Sequence, residues 1–115
     1  ENGKDIGHGY TINSPFLPGR GDDEYRRLIE KDLLPVFEEF RPVVILVSAG
    51  FDAHFDDELA DMQLSTEGFS WIMQKIVEMG KLYSNGRVIS ILEGGYSLKR
   101  LPELAKNHVE ILLNA

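Results

Sequence analysis

Two stretches of this chain are apolar almost without interruption, and they restrict the fold more than any other feature. Val43-Val44-Ile45-Leu46-Val47 carries no polar residue, and Arg87-Val88-Ile89-Ser90-Ile91-Leu92 carries one after its opening arginine. Unalternated runs of this length are the pattern of strands covered by helices on both faces, as in the parallel sheets of α/β proteins. Between them, Phe69, Ile72, Met73, Ile76, Met79 and either Leu82 or Tyr83 recur at helical spacing. Ser65 is placed to cap that helix, with Glu67 in its first turn where the backbone dipole favours an acid. Strands over 43–48 and 87–92 joined by this helix make a βαβ unit, whose crossover is right-handed in nearly all proteins.

Both strands then run the same way, so the loops leaving their carboxyl ends emerge on one edge of the sheet. Ligands of open α/β sheets bind at that edge. Asp52 and Tyr96, distant in sequence, are therefore expected to share one rim.

The remaining segments have simpler signatures. Residues 1–21 hold five glycines and two prolines and read as loop, apart from Tyr10-Thr11-Ile12-Asn13, a short extended segment that Pro15 ends or places at a sheet edge. Asp22-Asp23-Glu24 opens a helix whose buried stripe is Tyr25, Leu28, Ile29, Leu33, Val36, Phe37 and Phe40. Pro35 has no N–H to donate to the carbonyl of Lys31, which predicts a kink. Residues 49–64 are long and irregular, and loops above about 12 residues inside a compact domain are usually functional. Glu93-Gly94-Gly95-Tyr96 reads as a tight turn, followed by a helix from Ser97 or Pro102 to Leu113.

Composition excludes several classes. A chain of 115 residues suits one small domain. Its net charge of −7 and lack of a Lys/Arg cluster leave nothing to neutralise a row of phosphates, so direct nucleic-acid binding is not expected. Without cysteine there is no disulfide framework, thiolate metal site or cysteine nucleophile. No apolar run approaches the roughly 20 residues of a membrane span, and no signal-peptide pattern follows Glu1. The expectation is a cytosolic (cytoplasmic) piece of something longer.

Few residues are placed to do chemistry. Asp52 follows a buried strand and Gly50, where a carboxylate serves as a metal ligand, an orienting group or a loop cap. His54 makes an Asp-x-His pair with it, and in an extended segment both side chains point to one face. Gly94-Gly95 permits a sharp turn and close approach of a ligand, aiming the Tyr96 hydroxyl over the sheet edge. A phenol there can stabilise an oxyanion with one hydrogen bond; the competing role is packing on the final helix. Asp56-Asp57-Glu58 with Asp61 reads as a solvated acidic loop rather than a cation site. His8 and His108 default to the surface, and Trp71, Met73 and Met79 to the helix stripe or its flank. Phosphate-binding glycine loops and the Gly-x-Ser-x-Gly elbow are absent.

Taken together, Gly9-Tyr10-Thr11-Ile12-Asn13, Pro18-Gly19-x-Gly21-Asp22, Val47-Ser48-Ala49-Gly50-Phe51-Asp52-Ala53-His54, Leu64-Ser65-Thr66-Glu67-Gly68-Phe69 and Leu92-Glu93-Gly94-Gly95-Tyr96-Ser97-Leu98 resemble the C-terminal part of the zinc-dependent histone deacetylase and acetylpolyamine amidohydrolase family. The wording is closest to its class II and bacterial branch. The resemblance implies an α/β fold: a partial parallel sheet with flanking helices, the C-terminal half of an arginase/deacetylase-like domain, with residues 1–115 as one partial domain. It places Asp52 on a zinc ligand, Tyr96 on the tyrosine that bonds the substrate carbonyl, and Gly94 and Gly95 beneath the pocket. Leu59 falls on a rim position that faces an acyl-lysine stem when apolar. Tyr10 falls near a structural monovalent-cation position, and His54 on no ligand.

The family's Asp-x-His zinc pair and His-His general-base pair belong upstream of residue 1. The implied activity, hydrolysis of the amide of acetyl-lysine or an acetylated small amine, is thus expected of a longer parent, and the piece alone is expected to be inert. The alternatives are a short non-catalytic binding or dimerisation module of the same fold and an unrelated flavodoxin-like unit. An open sheet edge makes a homo-oligomer a further expectation.

Overall fold

The computed structural model describes residues 1–115 and sets the two apolar runs side by side. Strand β1 (Ile45–Ala49) and strand β2 (Val88–Leu92) form a parallel pair, with Ile45 opposite Val88 and Ala49 opposite Leu92. Strand β2 begins with its first apolar residue, whereas β1 begins two residues into its run. The chain before β1 is fastened by side chains instead: Ser84 Oγ donates to the Pro42 carbonyl at 2.7 Å and Arg87 Nε to the Val43 carbonyl at 2.8 Å.

Four helices accompany the strands. Helix α1 (Asp22–Leu28) and helix α2 (Leu34–Phe40) are joined through a π-helical turn, Ile29–Leu33, in which the Leu34 N–H bonds to the Ile29 carbonyl. The kink expected at Pro35 takes this form. An extra residue in the turn accommodates a position that cannot donate and whose ring crowds the preceding turn. Helix α3 (Thr66–Tyr83) starts at Ser65, whose hydroxyl accepts the Gly68 N–H at 2.9 Å. Asp22 in turn accepts the Ser65 N–H and O–H, tying the start of α1 to the start of α3. Tyr83, not Leu82, continues the inward stripe, which also includes Val77. At Gly80 a Cβ would lie 2.4 Å from Val88 Cγ2, so the glycine lets α3 lie on β2. Helix α4 (Leu101–Leu113) packs along α3 and sends Leu104 onto Ala49 and Phe51, the centre of a small core completed by Val47, Phe69 and Leu101.

Three expectations need correction. The apolar runs predicted helices on both sheet faces, but α3 and α4 cover the same one. A Cβ on Gly80 would run into Val88 and stand 3.8 Å from Ile45 Cδ1, while His108 shares a 2.7 Å hydrogen bond with Ser90 Oγ. The other face is bare, with Leu46 67% and Ile91 54% exposed. Tyr10–Asn13 is not a strand, because strand-prone residues without a neighbour have no ladder to join; Tyr10 stands exposed, edge-on to Phe40. His108, expected at the surface, is half-buried and edge-on to Phe51, and burial pushes its pKa down.

Candidate active site

Pairing persists past the ends of β1 and β2. Glu93 N–H donates to the Ala49 carbonyl at 3.0 Å and Phe51 N–H to the Gly94 carbonyl at 2.9 Å. The loops carrying Asp52 and Tyr96 therefore leave the sheet while still bonded to each other. Both side chains reach the space beside Gly94, where a Cβ would lie 3.6 Å from Asp52 Oδ1 and 3.6 Å from the Tyr96 hydroxyl oxygen. A hydrogen at that position leaves open the gap between a carboxylate and a phenol.

The neighbouring glycines have different work. A Cβ on Gly50 would stand 3.0 Å from Asp52 Oδ1, so that glycine also clears space around the carboxylate. Gly95 has φ +135°, a conformation that side chains disfavour, and its Cβ would press on Phe51 Cβ at 3.1 Å and Leu101 Cδ1 at 3.2 Å. Gly95 lets the turn lie down on the core; Gly94 keeps the cleft open.

His54 takes no part in this gap. It is completely buried, its Nδ1 accepts the Asp56 N–H at 3.1 Å, and its Nε2 therefore holds the proton and faces Thr66 Oγ1 at 3.0 Å. Its ring stacks on Phe55, and burial pushes its pKa down. With both nitrogens engaged it has no lone pair to give a metal, so the Asp-x-His spacing does not make a ligand pair here. Nor does any group of three His, Cys, Asp or Glu side chains gather around an ion-sized space. Catalytic zinc usually takes three protein ligands. The cleared carboxylate of Asp52 fits the role of one, and the chain does not complete the set.

The acidic loop is only partly solvated. Asp57 is 4% exposed, accepting the Leu59 N–H at 3.0 Å and the Tyr96 N–H at 2.8 Å. Backbone N–H groups of Leu59, Tyr96 and Ser97 hold its carboxyl below the usual range. Asp56 meets Arg100 Nε at 2.6 Å, which lowers its pKa in turn. Both belong to the stretch expected to be a solvated acidic loop. The only local signal was the spacing of Asp57 and Leu59, the pattern in which an aspartate bonds the backbone two residues on. Leu59 itself is exposed and shares with Tyr96 and Leu98 the wall of an open depression of about 480 Å³. Tyr10 lines none of it. Behind Asp52 an apolar recess of about 400 Å³ runs to Tyr25 and Met73. Burial, and then the Asp52 charge, raise the pKa of Tyr25.

Comparison with known proteins matches residues 1–112 to the family described as the histone deacetylase domain. A probable deacetylase of Archaeoglobus fulgidus is 40% identical over 99 residues, which cover 86% of this chain and 28% of that protein. A histone deacetylase-like amidohydrolase of Pseudomonas aeruginosa is 39% identical over 100 residues, 87% of this chain and 26% of its own length. Among solved structures, the HDA15 HD domain superposes with a TM-score of 0.90 at 32% identity, over 98% of this chain and 31% of that one. The chain thus spans between a quarter and a third of the length of these proteins.

Proposed function

This chain belongs to the histone deacetylase domain family, and from that premise we propose that it is the C-terminal part of a zinc-dependent amidohydrolase domain. The domain would remove acetyl groups from lysine side chains of proteins or from small amines. The observation that carries the proposal is that Asp52 Oδ1 and the Tyr96 hydroxyl each lie 3.6 Å from one point, the place a Cβ would take on Gly94. A carboxylate and a phenol facing a common gap suit an amide carbonyl that needs both a nearby cation and a hydrogen-bond donor.

In this proposal Tyr96 donates its O–H to the carbonyl oxygen as negative charge develops there. A donor held in place before reaction costs no reorganisation when the charge appears. Gly94 and Gly95 form the floor that admits the flat acetamide, and Leu59 offers an apolar rim to the methylene stem. Asp52 is the residue here that would hold zinc, which when bound in a complete site polarises a carbonyl and acidifies water. The other ligands and the base that takes the water proton come from outside these 115 residues, so the chain alone is inert. The net charge of −7 steers basic substrates towards it.

The test uses the complete domain and an acetyl-lysine peptide. Tyr96→Phe is expected to lower turnover by about 100- to 1,000-fold while zinc is retained, and Asp52→Asn to lose the zinc. Full activity in both variants overturns the assignment. For the chain by itself, elemental analysis after dialysis is expected to find no stoichiometric zinc; one tightly held ion per chain contradicts it.

A further inference from the structure

The segment that carries Tyr96 contains neither helix nor strand between Leu92 and Leu101. Packing does not fix the ring, since Tyr96 is 59% exposed. Three ties hold this segment to the loop that carries Asp52. One is the Phe51 N–H bond to the Gly94 carbonyl, before the turn, and another is the Asp56–Arg100 ion pair, after it. The third is Asp57, which alone of these bonds the backbone of Tyr96 itself. Asp57 is also the buried charge of the loop, and its other oxygen is anchored by the Leu59 N–H within its own loop, while the Tyr96 it grips lies 39 positions along the chain. A buried carboxylate deprived of donors is costly, and its bonds to N–H groups are charge-assisted, so the geometry resists displacement.

We propose that Asp57 is a positioning residue: through the Tyr96 N–H it sets where the tyrosine hydroxyl stands above Gly94 relative to Asp52. The proposal rests on the deacetylase reading above. It differs from a purely structural role because its effect runs through one hydroxyl group.

The test compares Asp57→Asn, Tyr96→Phe and the double variant in the complete domain. The amide of D57N keeps the size but turns a donor towards one of the two N–H groups. Kcat is expected to fall about 100-fold, the cost of misplacing a reacting group by about 1 Å, with KM and bound zinc near the wild-type values. In the Tyr96→Phe background the same change is expected to cost at most about threefold, because coupled residues do not act additively. Equal losses in the two backgrounds, or a loss confined to KM, overturn the proposal.

A wild-type measurement stands beside the variants in case Asp57→Asn does not fold. Amide hydrogen exchange of this chain is expected to show the Tyr96 N–H protected by about 100-fold or more; exchange at the unprotected rate overturns the clamp. A complete wild-type domain that deacetylates nothing sinks the deacetylase reading, and the exchange result still judges the clamp.

Discussion

Residues 1–21 and residues 49–64 both read as irregular chain, yet they are built differently. The first stretch bonds to itself as far as Tyr10, Gly7 N–H to Lys4, Tyr10 N–H to Gly7 and Gly9 N–H to Asn2, meets the second through Gly19 N–H to Asp61 and Gln63 N–H to Arg20, and is nearly all exposed. The second buries Phe51, His54, Asp57 and Leu64 and doubles back, with Leu64 N–H bonded to Ala53 and Phe55 N–H to Leu64. Its polar side chains do what a neighbouring strand would do elsewhere. His54 and Asp57 accept N–H groups that have no ladder, leaving no buried side-chain polar atom without a partner. A loop made this way holds a functional group as firmly as a strand does; an exposed loop with few buried contacts does not.

The largest effect that separates the two regions is expected from Leu64→Ala. Deleting a fully buried leucine side chain costs about 3 kcal/mol, read as a lowered urea midpoint of this chain; a loss below about 1 kcal/mol would show the long loop to be no better packed than the first stretch. Ser65→Ala, at the junction of the long loop with α3, removes the cap and one of the two bonds to Asp22, for about 1 kcal/mol. A smaller loss follows acidification. Burial holds the pKa of His54 and of His108 below that of an unfolded histidine. Below about pH 6.5 the unfolded chain therefore binds more protons than the folded one. Stability present at pH 7.5 should decline through pH 6.5 and below, and His54→Gln should flatten that decline; a midpoint that rises on acidification contradicts the burial of both rings. The smallest effect is expected from Leu17→Ala in the first stretch, within about 0.5 kcal/mol of wild type because the side chain is exposed. A loss there as large as that of Leu64→Ala erases the comparison.

What could be read from the residues follows the same division. The parallel pair, the Ser65 cap and the shared rim of Asp52 and Tyr96 rest on local pattern and strand direction, which a linear sequence carries. Two apolar runs without alternation cannot say which face their own chain covers, and here α3 and α4 both cover one. The π turn before Pro35 is one of several ways to relieve the same missing N–H, so the proline predicted distortion without its form. Asp57 and His54 were hardest to see. Beside Asp56 and Glu58, Asp57 looks like surface charge, and only contacts with the Tyr96 turn, 39 positions away, reveal a buried clamp. The pairing of His54 with Asp52 was a spacing argument, and the fold turns the imidazole towards Thr66 instead.

The central claim, that Asp52 and Tyr96 face one open gap, is tested most directly by Gly94→Ala in the complete domain. Gly94 is not in the left-handed conformation, and the added methyl would make ordinary contacts of 3.6 Å with both oxygens. The fold should therefore tolerate it, with a stability change within about 0.5 kcal/mol. Because the methyl occupies the space where the reacting carbonyl must sit, deacetylation of an acetyl-lysine peptide is predicted to fall about 100-fold or more. Undiminished turnover by a folded Gly94→Ala domain would mean that the two side chains do not enclose the reaction site.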